Sequence, residues 1–104
     1  MRRRSEFQRV FDAGRRVHGR HLTLVFAPAP GPESRLGIVA SRKLGGAVVR
    51  NRAKRLIREV FRTSDPPGSA LDLVVIPKPS AAEQTAMELG RDYQAALKRL
   101  NLSK

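Results

Sequence analysis

Residues 41–62 constrain the fold most, because they predict a basic strand end, a Gly-Gly turn and a helix with two dissimilar sides. An α-helix turns by about 100° per residue. On that period the apolar side chains share one side of the helix: Val49, Ala53, Leu56, Ile57 and Val60. The opposite arc carries Arg50, Asn51, Lys54, Arg55, Arg58 and Arg62, with Arg52 on the flank between the two. One side of this helix requires a hydrophobic core, and the other favours a polyanionic partner.

The positive charge of the chain is concentrated in its first three-fifths. Residues 1–62 contain 16 Lys and Arg against four acids, whereas residues 63–104 contain five of each. Solubility requires no such concentration, and mutual repulsion among the cations destabilises the folded state. A partner that carries many phosphates explains this distribution better than a merely solvated charged surface does.

The other patterns predict an α+β fold in which helices pack on a small mixed sheet. With 104 residues and no internal repeat, a single domain is expected, 1–104. In the strand at 21–27, Leu22, Leu24 and Phe26 should face one way and His21, Thr23 and Val25 the other. The predicted order is α-β-β-α-β-α. A helix runs from a capping box at Ser5 to a stop at Gly14, strands follow at 21–27 and 35–41, and the two-faced helix ends near Arg62 or Thr63, before Pro66 and Pro67. A third strand is expected at 71–76, and the last helix follows a capping box at Ser80 and continues to Leu100. Residues 15–20 are interpreted as a connecting segment.

The residues suggest no catalytic or metal site. The chain has no cysteine, which excludes disulfides and thiolate metal sites. If both lie in a strand, His18 and His21 point to opposite faces, and the acids are too scattered for a two-metal nuclease. No run approaches the roughly 18 apolar residues of a membrane span. No apolar stretch follows the N-terminal arginines, so a cytoplasmic protein is expected.

Nucleic-acid binding is the favoured function. Arginine predominates over lysine, which suits bidentate phosphate contacts and stacking on bases. A helix-turn-helix DNA reader is the rival, and the predicted strands argue against it. Phe7 and Phe11 admit two interpretations: core contacts that pin the first helix to the sheet, or an open edge on which single-stranded bases stack.

The two-faced helix also carries a family resemblance. The chain resembles the bacterial ribonuclease P protein subunit through its "RNR" signature: Ser41-Arg42-Lys43, Gly45, Ala47-Val48, Arg50-Asn51-Arg52, Lys54-Arg55 and Arg58-Glu59. Further similarity covers the opening helix (Phe7, Gln8, Val10, Phe11), Gly37, and the strand from Leu71 to Pro77. The resemblance therefore extends over nearly the whole chain.

The resemblance implies a division of labour between a protein and an RNA. In that family the RNA subunit is catalytic and removes the 5′ leader of precursor tRNA, with Mg²⁺ bound mainly by the RNA subunit and the substrate. The protein alone is expected to be inactive, and its oligomeric state when free is left open. The residues expected to bind the RNA subunit are Ser41, Arg42, Lys43, Arg50, Asn51, Arg52, Lys54, Arg55 and Arg58. The residues expected to bind the leader are Phe7, Phe11 and Val25, although the family commonly has an aromatic where Val25 stands.

The resemblance also implies a fold like one domain of a small-subunit ribosomal protein, with a left-handed βαβ crossover around the signature helix. General packing rules would instead predict a right-handed crossover. The alternative function is a basic, ribosome-associated structural RNA-binding protein with no part in cleavage. A protein that is itself a nuclease is less favoured, because no carboxylate cluster is predicted.

Overall fold

The computed structural model describes residues 4–64 and 70–102, with side chains up to residue 99. The elements are α1 (Arg4–Ala13), β1 (Arg15–His18), β2 (Leu22–Pro28), β3 (Arg35–Ile38), α2 (Ala47–Thr63), β4 (Leu71–Pro77) and α3 (Ala86–Leu102), with short 3-10 helices at Arg42–Leu44 and Pro79–Glu83. The strands form one sheet in the order β1-β2-β4-β3. Strand β3 is parallel to β4, and the other neighbouring pairs are antiparallel. The α+β class and the mixed sheet are confirmed.

The structure contains one strand beyond the predicted order, β1, which pairs with β2 from Arg15 opposite Phe26 to His18 opposite Thr23. Its sequence is Arg-Arg-Val-His, so only Val17 is apolar, and it packs partly against the core. Four mostly polar residues at the edge of a sheet give no alternating hydrophobic pattern, which is why the segment was interpreted as a connection.

Both faces of the sheet are covered, so the molecule has three layers. One face packs against α2 and α3 through a large cluster that includes Leu24 and Phe26 of β2 and Leu73 of β4. The other face packs against Val10 of α1 through Val25, Ala27 and Val74. The predicted alternation of β2 is therefore confirmed. The parallel β3-α2-β4 unit is also present, and its left-handed sense stays a prediction from the resemblance.

Gly14 joins α1 directly to β1 and ends the helix as predicted. A Cβ at this position would lie 2.1 Å from the carbonyl oxygen of Val10 and 2.8 Å from that of Phe26. No larger residue fits at this junction without moving the backbone. The C-terminal end of α1 is thereby held close to β2.

Two predicted helix starts are wrong. Ser5 lies inside α1 instead of capping it. Helix α3 begins at Ala86, whereas Ser80 belongs to the preceding 3-10 helix. The capping hydroxyl is that of Thr85, which accepts the backbone N–H of Glu88 at 3.2 Å. Thr85 and Glu88 have the same spacing as the capping box assigned to Ser80 and Glu83, so the sequence offered two equivalent starts. Leu100, Pro66 and Pro67 lie outside the residues whose side chains are described.

Asp72 is a buried carboxylate that connects three elements. Its side chain is 0% exposed on β4. It accepts hydrogen bonds from Nε and Nη2 of Arg35 on β3, at 2.8 and 2.6 Å, and from Arg9 on α1. Arg35 also pairs with Glu6 of α1. The hydrogen bonds from Arg35 hold the pKa of the Asp72 carboxyl below its ordinary value of 3.8.

Substitution of Asp72 tests this network. Asp72→Asn is expected to lower the free energy of unfolding by about 3 kcal/mol, because two cations lose the carboxylate that they share. Since the folded-state pKa is lowered, the ionised group stabilises the protein above the ordinary pKa and loses that contribution as the pH falls through the lowered value. Urea unfolding followed by circular dichroism at pH 7 and below pH 4 measures both effects.

The matched control is Asp12→Asn, which neutralises an exposed carboxylate that bonds only the Gln8 amide at 2.8 Å among the described residues. The control should change the unfolding free energy by less than about 0.5 kcal/mol. Equal stability losses in the two variants would show that Asp72 has no special role in the fold.

Candidate nucleic-acid interface

Helix α2 is the centre of the cationic surface, and its apolar side is buried as predicted. Ala53, Ile57 and Val60 are at most 4% exposed. The turn before the helix places Gly45 at φ 140°, in the region that favours glycine, and Gly46 is the N-cap. Leu44, just before this turn, is buried with Ala53 and anchors the segment.

The cations of α2 fall on two different sides. Asn51, Arg52 and Arg55 line a groove of about 420 Å³ together with Val48, whose side chain is 83% exposed. We call this surface the α2 groove.

Lys54 and Arg58 lie on the other flank and line a second depression, of about 150 Å³. Its other walls are Phe7 of α1 and residues 36–38 of β3. We call this depression the edge cleft, because β3 is the last strand of the sheet. The nine residues expected to bind one RNA surface are therefore divided, and Lys54 and Arg58 stand beside an aromatic ring.

Arg52 is held in place by the fold. Its Nε donates a hydrogen bond to the carbonyl oxygen of Ala82 at 2.8 Å. The rest of the guanidinium remains at the α2 groove, so it loses less conformational entropy on binding an anion than an untethered side chain does. Arg62 belongs to the predicted cationic arc but pairs with Glu59 at 2.7 Å, which neutralises its charge.

The remaining expected RNA-binding residues lie near the start of α2. Ser41, Arg42 and Lys43 are exposed, and the last two belong to the 3-10 helix that precedes the Gly-Gly turn. Arg50 lies in the first turn of α2 and is partly buried. Its Nε is buried and has no hydrogen-bond partner among the described residues.

For the aromatic residues of α1, the sequence allowed either core contacts or an open edge for stacking, and the structure shows features of both. Phe7 and Phe11 are both half-buried and pack against the cluster beneath α1, while Phe7 also lines the edge cleft. Val25 is 1% exposed under α1, so it presents no surface to a ligand in this structure. Phe26 faces the opposite core, at 5% exposed, and supplies no replacement aromatic.

The cleft-lining role of residues 36–38 was missed from the sequence. Their pattern predicts a strand, but nothing in it shows that this strand lies at the edge of the sheet between α1 and α2. The position of residues 36–38 in the edge cleft depends on the parallel pairing of β3 with β4, two strands that are separated in the sequence by the whole of α2.

The described residues offer no group of three or more His, Asp or Glu side chains that could hold a metal ion. His18 contacts the Thr23 hydroxyl at 3.3 Å, and His21 contacts the Ser80 hydroxyl at 2.8 Å. Neither histidine belongs to such a group. Within the described part of the chain, no helix is long and apolar enough to cross a membrane.

A family model described as Ribonuclease P matches residues 1–101. The chain belongs to the Ribonuclease P family. A ribonuclease P protein component from Desulfatibacillum aliphaticivorans is 41% identical over 85 residues, which cover 81% of this chain and 72% of the relative. That of Thermus scotoductus is 46% identical over 96 residues, which cover 92% of this chain but only 56% of the relative. The chain thus spans little more than half the length of this Thermus relative.

Solved structures of the family match the fold. The RNase P protein of Staphylococcus aureus has a TM-score of 0.84 and 32% identity, with 96% of this chain and 93% of that chain covered. That of Thermotoga maritima has a TM-score of 0.83 and 32% identity, with 95% and 94% covered. The family supplies the protein subunit of an endoribonuclease that processes tRNA and works with RNase P RNA.

The tether of Arg52 predicts a difference between arginine and lysine. Arg52→Lys keeps the positive charge but removes the donor to the Ala82 carbonyl. We expect RNase P RNA to bind about fivefold more weakly, because ordering an untethered side chain on binding costs about 1 kcal/mol. Filter binding at fixed salt measures the change. Arg62→Lys is the control on the same helix, because Arg62 contacts only Glu59 among the described residues; an equal loss there would contradict a specific role for the tether.

Proposed function

We propose that the chain is the RNA-binding protein subunit of a ribonuclease P ribonucleoprotein, in which a catalytic RNA removes the 5′ leader of precursor tRNA. The placement of a cationic groove and a cationic, aromatic cleft on neighbouring flanks of α2 supports this function most directly. Two adjacent but different surfaces suit a protein that holds two RNA strands at once. A cytoplasmic location, where tRNA is processed, accords with this role.

The α2 groove is the proposed contact with the catalytic RNA. Arg52 and Arg55 can bind phosphate oxygens in a bidentate manner, and Asn51 can donate to a phosphate or a sugar. Val48 adds an exposed apolar contact in the same groove. Ser41, Arg42 and Lys43 extend this basic surface beyond the start of the helix.

The edge cleft is the proposed site of the leader. Phe7 offers a ring on which an unpaired base can stack, a contact worth about 1–3 kcal/mol per base in single-strand binding. Lys54 and Arg58 lie in the same cleft and can neutralise the phosphates of that strand. This geometry favours the leader as their ligand, whereas the family signature alone places them with the RNA subunit. Phe11 packs against the cluster beneath α1 and does not line the cleft, and Val25 is left out of the contact because it is buried.

The protein's contribution in this proposal is affinity and charge screening. The catalytic RNA and the precursor both carry dense negative charge, and cations placed between them reduce their repulsion. Magnesium ions, bound mainly by the RNA subunit and the substrate, would supply the chemistry of cleavage. No described side chain is assigned as general base or nucleophile.

Reconstitution tests the function as a whole. The protein, the RNA subunit and precursor tRNA are mixed at low magnesium, and cleavage and binding are measured against the RNA subunit alone. The protein should lower the magnesium requirement and tighten binding of precursor relative to mature tRNA. If it does neither, and ribosomal RNA instead is enriched with the protein from cells, the alternative of a ribosome-associated RNA-binding protein replaces this proposal.

The division of α2 into two flanks is tested by paired substitutions of equal charge. Lys54→Gln with Arg58→Gln should reduce the preference for precursor over mature tRNA and leave assembly with the RNA subunit nearly unchanged. Arg52→Gln with Arg55→Gln should do the reverse, and should lower the salt dependence of assembly, as log K against log salt, by about 1.5. Similar effects of the two pairs on both measurements would show that α2 presents one undivided surface.

A further inference from the structure

Another arginine-lined groove lies near β1, at the opposite edge of the sheet from the edge cleft. Its walls come from the turn between β1 and β2 and from the exposed side of α3, and it has a volume of about 370 Å³. The residues that line it are Arg20, His21, Glu88, Arg91, Asp92, Ala95 and Arg99. We call it the α3 groove. Helix α3 contacts β1, and β1 and β3 are opposite edges of the sheet.

Both carboxylates of the α3 groove are already engaged. Asp92 accepts three successive backbone N–H groups of the turn, from Arg20 at 2.7 Å, His21 at 2.8 Å and Leu22 at 2.9 Å. A Cβ on Gly19 would lie only 2.6 Å from the same carboxylate, so the turn closes tightly around it. Glu88 pairs with Arg91 at 3.3 Å. Asp92 therefore closes the turn and Glu88 pairs with Arg91, and the three arginines of the groove exceed its two carboxylates by one formal positive charge.

The arginines, in contrast, retain donors for a ligand. Arg20 is exposed, and its guanidinium has no partner among the described residues. Arg99 uses Nη1 to bond the carbonyl oxygen of His18 at 2.7 Å, which fixes its position while its other nitrogens stay available. Two guanidiniums in one groove match the oxygens of a phosphodiester, which arginine binds in a planar, bidentate manner. The small side chain of Ala95 lines the same groove.

We propose that the α3 groove binds an RNA phosphodiester backbone, so that the protein contacts RNA at both edges of its sheet. This inference rests on the proposed function, because assembly with RNA supplies the polyanion at high local concentration. The two edge strands are separated by three inter-strand spacings, about 14 Å in all. The charge distribution along the sequence did not indicate this surface, because Arg91 and Arg99 come from residues 63–104, whose formal charges cancel.

Site-directed cleavage of RNA tests the position of the groove. The chain has no cysteine, so a single introduced cysteine can carry an iron–EDTA probe. Ala95→Cys places the probe in the α3 groove, Val48→Cys places it in the α2 groove, and Glu33→Cys places it in the exposed loop before β3 as background. Each probe is used in the full assembly, with the RNA subunit or the precursor tRNA end-labelled in turn, so that the source of the phosphates is identified.

The Ala95 probe should cleave an RNA segment distinct from that cleaved by the Val48 probe and above the Glu33 background. Cleavage from Val48 without cleavage from Ala95 overturns the inference and leaves the proposed function intact. Absence of cleavage from both overturns the proposed function, and this inference with it.

Charge substitutions in both directions give a second test. Arg20→Gln with Arg99→Gln should weaken assembly about tenfold at physiological salt and make its salt dependence shallower. Glu88→Gln, which frees Arg91, should instead tighten assembly and steepen the salt dependence. Glu33→Gln makes the same charge change in the exposed loop and is the control; an equal gain from it, or no gain from Glu88→Gln, counts against an anion site. Circular dichroism verifies that each variant is folded.

Discussion

The buried carboxylate of Asp72 is the interaction on which the arrangement of the elements around the edge cleft depends. It joins α1 and β3 to the central strand β4 through Arg9 and Arg35. Strand β3 is only four residues long and pairs with a single neighbour, so backbone hydrogen bonds alone hold it weakly. Because the edge cleft has α1 on one side and β3 at its base, the same ion pairs that stabilise the fold also fix the position of Phe7 relative to Lys54.

Parts of this organisation were predictable from the sequence, and the reasons differ between elements. The sidedness of α2 and the alternation of β2 were correct, because each depends only on a local period. Strand β1 was missed, because Arg15, Arg16 and His18 carry no such signal. The start of α3 was misplaced, because two capping boxes occur within nine residues, 80–88.

The candidate sites were less predictable, because they depend on pairings distant in the chain. Asp72 was counted among the scattered acids, because the neighbouring sequence does not indicate that it pairs with Arg35 and Arg9, which are 37 and 63 residues away. The division of the α2 cations between the α2 groove and the edge cleft depends on where α1 lies. The helical period of α2 carries no information about that position. The family signature supplied the functional context, and the structure then assigned individual side chains to grooves.

The polar composition of β1 has a consequence for the protein before it meets any RNA. An unpaired strand edge can recruit a second copy of the same chain, and continued pairing leads to aggregates. Two chains joined along this edge would bring Arg15 and Arg16 of each close to those of the other, on molecules that each carry a formal charge of +12. Repulsion opposes that contact, so the polar residues that give β1 no strand pattern in the sequence also disfavour edge-to-edge association of the protein.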